Sequence, residues 1–423
     1  MSNALLLTNL RLLDPDSGML REGHSILVRG GRIAAVSARI EAEPGTPQRD
    51  LGGRVVMPGL IDCHVHVTSV MLKFANESAR HFPASYISAV SSGKLERMLM
   101  RGFTTVRDAA GADRGHKMAV EEGLFTGPRL FVSGRSITQT GGHGDMRTRV
   151  DHPSPCGCTH FMGGPTGGVG RIADGIPDVR RAVRDEVRLG ADQIKVMASG
   201  GVGSPADPIH FLQYSISELE AVVEEAEMAG TYVLAHAYTA KAIHRAVKAG
   251  IRSIEHGNFL DRETADLMAE RGAYLVPTLV TYGASIRYGR ELGYPEASIE
   301  KAKQVFEVGS RSLEVARAAG VPMAYGTDLM GEQDMLQGEE FLIRGETLPA
   351  IDVIRSATTV AAALLRREGE LGVIAPGAVA DLIVLDGNPL EDLSLLAGQG
   401  EAVPAVMKDG RFVKDRIATI VPA

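Results

Sequence analysis

The sequence predicts a (β/α)8 TIM-type barrel with a small discontinuous β-sandwich built from both chain ends, and three observations predict it. Between residues 58 and 363, short apolar runs alternate with helical stretches, which is the pattern of parallel βα units. Histidines, a lysine and aspartates close those runs, as expected where the C-terminal strand ends of a barrel share one face. Residues 1–57 and 364–423 instead carry β-formers between turns, and neither half is long enough to bury a good core alone. The two are expected to pair into one module that brackets the barrel.

Taken in order, the amino-terminal half shows strand-like runs at Ala4 to Leu13, Ser25 to Val28 and Arg32 to Val36, with Gly30-Gly31 as a hairpin signal. Eight candidate barrel strands follow. They end at His66, at Asp108, near Gly134, at or just after Lys195, at His236 and at His256, with the last two at Tyr274 to Thr278 and Met323 to Asp328. Helices fit between them at Ile176 to Leu189, Ser217 to Ala229 and Glu300 to Ala319, the second with Ser217 and Glu220 as a capping box. An open doubly wound sheet would want a glycine-rich phosphate turn after its first strand, and none is there. The stretch from Thr138 to Gly170 has no clear periodicity, and a loop of that length is expected to cover the barrel mouth. Asp381 to Leu385, Ala405 to Lys408 and Arg411 to Lys414, the last two joined by Asp409-Gly410, supply the closing strands.

Composition narrows the partners. A net charge of −7 with no long basic run argues against nucleic acid, because phosphate binding needs clustered Lys and Arg. No uninterrupted apolar run reaches the length of a membrane span, and three cysteines make no disulfide framework. The amino terminus lacks a basic region and a cleavage site, so a cytoplasmic location is the expectation.

The stretch Val55 to His66 carries the first sign of chemistry. A buried strand closing on His64-x-His66 puts both imidazoles on one face, where two nitrogens converge on a metal; the alternative is a pair of partly exposed histidines at a strand terminus. In a barrel, His64, His66, Lys195, His236, His256 and Asp328 would all point into one mouth. Cys156-Gly-Cys158, flanked by His152 and His160, is spaced more tightly than a usual zinc pair and reads as a reduced structural loop.

At this point the sequence resembles the amidohydrolase superfamily, on Pro-Gly-Leu-Ile-Asp-Cys-His-Val-His (58–66), Ile-Lys-Val (194–196), Leu-Ala-His (234–236), Ile-Glu-His-Gly (254–257), Gly-Thr-Asp (326–328) and Ile-Ala-Pro-Gly-Ala-Val-Ala-Asp-Leu-Ile-Val-Leu-Asp (374–386). Within it the chain is similar to the imidazolonepropionase-related dipeptidases, also through Thr140-Gly-Gly-His143-Gly-Asp and Met197-Ala-Ser-Gly-Gly-Val-Gly-Ser-Pro. The resemblance implies two divalent metal ions, zinc foremost. His64, His66 and Asp328 would bind the more buried one, His236 and His256 the more exposed one, and Lys195 would bridge both as an N6-carboxylated lysine. Asp328 would be the acid/base, His143 would hydrogen-bond the developing oxyanion or the substrate carboxylate, and Tyr238 would help hold that carboxylate.

The expected activity is hydrolysis of Xaa-Pro dipeptides. One competitor is a carboxypeptidase for Xaa-Arg or Xaa-Lys, with Glu332 or Asp334 meeting the basic side chain; the strand-seven loop Thr278-Leu-Val-Thr-Tyr282 offers apolar and aromatic contacts instead. Others are a hydrolase of different N-acyl amino acids or cyclic amides, and a metal-free scaffold. The expected partners are a small peptide or N-acyl amino acid and further copies of the chain, a homo-oligomer.

Overall fold

The computed structural model describes residues 4–70, 82–145, 147, 170–203 and 207–417. Four strands open it: β1 (Ala4–Asp14), β2 (Met19–Arg29), β3 (Arg32–Ser37) and β4 (Gln48–Pro58). The central strands are β5 (Leu60–Val65), β6 (Phe103–Asp108), β7 (Arg129–Phe131), β8 (Ser136–Thr138), β9 (Gly170–Ile172), β10 (Ile194–Met197), β11 (Val233–Thr239), β12 (Ser253–Phe259) and β13 (Tyr274–Val276). β14 (Leu382–Leu385), β15 (Ala405–Lys408) and β16 (Arg411–Asp415) close the chain.

By packing, the chain forms two compact units. One comprises Met1–Asp62, Glu96–Thr105 and Gly338–Ala423; the other comprises Cys63–Leu95 and Val106–Gln337. In the first, the two chain ends share a single hydrogen-bonded sheet in the order β16-β15-β14-β4-β1-β2-β3. The seam is β4 against β14, antiparallel, with Val56 opposite Val384. Apolar residues alternate along these strands, so one face buries Leu7, Leu10, Ile26, Val56, Leu382, Val384 and Met407 together.

In the second unit, parallel strands run β10-β11-β12-β13 with every residue of β10 buried. Buried on both sides, such strands lose the polar alternation and read as continuous apolar runs. Main-chain bonds complete the ring. Leu275 donates to Pro322 O and Ala324 to Leu275 O, while Cys63 donates to Tyr325 O; the segment 322–328 thereby joins β13 to β5 as the eighth stave. On the other side Asp192 donates to Val132 O, which links the segment after β7 to β10. Helices Gly175–Arg188, Ile216–Met228, Ala240–Lys248 and Arg262–Arg271 pack Val183, Val222, Ile243 and Met268 against this sheet.

Three local expectations shift. The capping box of the helix Ile216–Met228 is Ser215 with Glu218, two residues before the expected Ser217 and Glu220, because Ser215 is the last extended residue and its hydroxyl accepts from Glu218 N. The helix ending at Ala319 begins at Glu296, directly after Pro295. β13 ends at Val276, and Thr278 takes a left-handed conformation that turns the chain into helix Leu279–Tyr288. Most of the stretch after Thr138 lies outside the described residues, including Cys156, Cys158, His152 and His160. No described helix is long and apolar enough to cross a membrane.

Candidate active site

The barrel staves deliver the site residues one by one. His64 lies in β5 and His66 follows two residues on, both buried, and their Nε2 atoms stand 3.3 and 3.1 Å from Oδ1 of Asp328. These three residues offer ligand atoms that all lie within 4.8 Å of one another. Asp328 reaches this point because the eighth stave runs beside β5, where its amide donates to His64 O. Gly326 permits the approach, since a β-carbon there would stand 2.3 Å from Val276 Cγ1 and 2.9 Å from His64 Cβ.

The second histidine pair sits next to the first. His236 in β11 and His256 in β12 have ring centroids 4.6 Å apart, and the His256 ring is 5.3 Å from that of His64. Lys195 is buried in β10, whose register sets it beside Leu234 of β11. The structure thus brings His64, His66, His236, His256 and Asp328 together, with Lys195 within electrostatic reach of Asp328 and of both His236 and His256.

Each histidine uses one ring nitrogen for a protein partner. His64 Nδ1 meets Glu255 Oε2 at 2.6 Å, and His66 Nδ1 meets Ala110 O at 2.8 Å; both acceptors require a proton on Nδ1, so Nε2, which faces Asp328, donates to that carboxylate when it carries a second proton and would offer its lone pair where a metal took that proton's place. His236 Nε2 lies 3.2 Å from Gly200 O, so its lone pair falls on Nδ1. His256 Nδ1 is bonded to Thr278 Oγ1 at 2.8 Å. A donor set of four imidazoles and one carboxylate fits zinc or a similar divalent metal.

The electrostatics agree with that chemistry. Burial, with the neighbouring His143, His256 and Lys195, holds His236 well below its ordinary value, and burial does the same for His256. Both are therefore neutral, the form that binds metal. Burial pushes the Lys195 amine down to about 8, although Glu255 and Asp328 pull the other way. Burial alone would raise Asp328, but His64, His66 and His256 overcome it and keep the carboxylate ionised. His256, Thr278 and Asp328 all hold positive φ, at 77°, 51° and 53°, a clustering of strained backbone typical of functional sites.

Two further rings flank the second pair. His143 stacks on His236 at 4.2 Å, and Tyr238 stacks on His256 at 5.0 Å. Tyr282 donates from its hydroxyl to that of Tyr238 at 3.0 Å, and burial pushes both phenols upward, so each stays a neutral donor. Glu332 is exposed and Asp334 buried within the short helical turn Gly331–Leu336.

The sequence reading did not anticipate the supporting groups. Glu255, fully buried, bonds both His64 and Arg107, the latter at 2.9 Å, and also accepts from Ser253 Oγ. Asp108 accepts from the amides of Val67 and Ala112, which pins the turn that carries His66's acceptor. A charged residue inside an apolar strand was the available signal, since buried charges are paired.

Residues 55–413 match the family model described as amidohydrolase family. The chain belongs to the amidohydrolase family. A solved amidohydrolase shares 50% identity and a TM-score of 0.94 over 98% of this chain and 100% of its own. A prolidase complexed with N-methylphosphonate-L-proline shares 48% identity and a TM-score of 0.93, covering 97% of this chain and 100% of that one. Ochratoxinase of Aspergillus niger is 36% identical over 375 residues, 85% of this chain and 76% of the relative. This amidohydrolase is accordingly a (β/α)8 enzyme that hydrolyses amide or peptide bonds, and His64, His66 and Asp328 are its candidate metal site.

Proposed function

We propose that the enzyme cleaves Xaa-Pro dipeptides at a binuclear metal centre. The observation that carries this reading is the 48% identity, over nearly the whole of both chains, with a prolidase that binds a proline phosphonate. His64, His66 and Asp328 would hold one metal, His236 and His256 the other, and Lys195 would bridge them as a carbamate. The lowered affinity of the Lys195 amine for protons supports that last assignment, because only the neutral amine captures carbon dioxide. A pair of bound divalent cations supplies a water of lowered pKa and polarises the scissile carbonyl.

The chain's own residues do the rest. Asp328, ionised and beside His64 and His66, accepts the proton of the attacking water and passes it to the departing nitrogen, without which an amine leaves poorly. Tyr238, whose oxygen accepts from Tyr282, turns its own hydrogen to the substrate's α-carboxylate. His143 stabilises the oxyanion that develops at the attacked carbonyl. The apolar and aromatic first turn of the helix Leu279–Tyr288, with Glu332 exposed and Asp334 buried within a helical turn, favours proline over a basic residue. A second reading, hydrolysis of other N-acyl amino acids or cyclic amides, is supported by the 36% identity with a relative named for ochratoxin and not for a peptide.

A dipeptide and N-acyl amino acid library varied at the C-terminal position tests the proposal. Xaa-Pro should give the highest kcat/KM, and an Xaa-Pro amide at least about tenfold less, since a charge-assisted bond is worth roughly 1.5 to 3 kcal/mol. Tyr238→Phe should narrow that gap by harming only the free acid. Equal cleavage of acid and amide would remove carboxylate recognition; a better non-proline substrate would favour the second reading.

A further inference from the structure

We propose that Asp207 is a positioning residue for His143, and that Lys301 of the helix Glu296–Ala319 keeps Asp207 in place. The inference rests on the role assigned to His143 above. Asp207 is buried, and its Oδ2 lies 2.8 Å from His143 Nδ1. An ionised carboxylate only accepts, so Nδ1 carries a proton and the ring keeps one orientation, Nε2 opposite to Asp207. The same Oδ2 accepts from the amide of Gly201 at 3.0 Å, which fixes the carboxylate itself.

The ring is held on its faces as well as its edge. His236 stacks on it at 4.2 Å with 16° between the planes. Gly201 lies against it so closely that a β-carbon there would stand 2.3 Å from His143 Cε1. The main chain of His143 is tied down by its amide, which donates to Gln213 Oε1 at 3.0 Å. Lys301 then donates to Gly201 O at 3.0 Å and to Asp207 O at 3.1 Å, so one ammonium group straps both halves of the slot. A rotamer-rich imidazole on a loop is thereby given the rigidity that strands give the metal-site histidines.

A double-mutant cycle measures this, with kcat/KM taken on the best substrate of the library, whether or not that substrate contains proline. Asp207→Asn keeps the size of the side chain and removes the anionic acceptor; it should lower kcat/KM about tenfold, the scale on which an orienting partner acts. In the His143→Ala background the same change should cost less than about twofold, because nothing remains to be positioned. Full activity of Asp207→Asn, or an equal loss in both backgrounds, would overturn the proposal, and so would full activity of His143→Ala, while the library result would stand. Proton NMR of the wild type supplies a readout that does not depend on the variant folding: a hydrogen-bonded imidazole Nδ1 proton should be present and should vanish in His143→Ala. Its absence in the wild type would also overturn the assignment. Gly201→Ala, which fills the slot, should approach the loss seen for His143→Ala; wild-type rates there would remove the steric part of the argument.

Discussion

The barrel rim and the sheet made from the two chain ends treat buried polarity in opposite ways. At the rim, charged groups are placed out of water and must be matched: Glu255 between His64 and Arg107, Asp328 between three imidazoles, Lys195 with its amine pushed down. In the seven-stranded sheet the interior is aliphatic, and ion pairs such as Arg49 with Asp415 and Arg54 with Asp386 keep to its partly exposed borders. Three rim residues hold positive φ, whereas among the described residues of the sheet and its turns Asn9 in β1 and Asp409 between β15 and β16 do so, types that tolerate it. The difference separates what the site needs from what the sheet needs: strained backbone and buried charge gather around the metal-site residues, whereas the sheet keeps its interior largely aliphatic.

Substitutions should respect that division, and the largest effect belongs to the rim. Asp328→Asn should lower kcat by at least about a hundredfold, the low end of what a positioned acid or base supplies. Its metal content should fall less, since four histidines and Lys195 remain. Wild-type turnover at full metal occupancy would break the comparison, by showing that the carboxylate is only a ligand.

Glu255→Gln comes next. The amide keeps the shape but no longer fixes the His64 proton on Nδ1, and it leaves Arg107 without its buried anion. Loss of such a partner typically costs about 10 to 100-fold in metal affinity or activity. Because Glu255 is buried with Arg107, this variant should also be less stable, the one rim change expected to register in both columns. Metal titration and thermal melting of the same preparation check it; unchanged metal affinity would mean that Asp328 alone orients His64.

The sheet should give the converse result. Ile26 is buried between Leu7 of β1 and Val36 of β3. Ile26→Val should destabilise the protein by about 0.5 to 1.5 kcal/mol in urea unfolding. Its kcat per folded, metal-loaded enzyme should not change, and a parallel loss of turnover would show that the two regions are not separable.

The same division explains what was legible in the sequence. Strand-end residues such as His64, His236 and Asp328 are visible because parallel strands read as apolar runs and each run stops at a polar residue. The seam between β4 and β14 followed from two half-modules too small to stand alone. The partners were not legible: Asp207 meets His143 across 64 residues, and Glu255 meets His64 across 191, distances over which no local periodicity carries information. Capping shifted by two residues for a different reason. Ser215 and Ser217 both precede a glutamate by three positions, and only the path of the chain from the strand decides which hydroxyl faces the helix end.

The smallest expected effect lies in the sheet, where one charge breaks the rule of an aliphatic interior. Lys414 of β16 donates to Met100 O at 2.9 Å and Gly400 O at 2.6 Å. Burial, with Arg416 nearby, pushes its amine down to about 8 from the ordinary value of 10.5, though Glu401 opposes the shift. An uncharged amine still donates to both carbonyls, so the bonds survive deprotonation. Below pH 8 the folded and unfolded chains both hold the proton, and the cost of burying the charge is present throughout. Between about pH 8 and 10.5 the folded chain has released it while the unfolded chain still binds it, so the unfolded state carries more protons and stability rises with pH. Urea midpoints of the wild type and of Lys414→Met should therefore diverge in favour of the wild type across that window. Measuring the difference cancels the other lysines and tyrosines that titrate there. Parallel curves would mean that the Lys414 charge is fully solvated, and that the sheet carries no buried charge at all at this position.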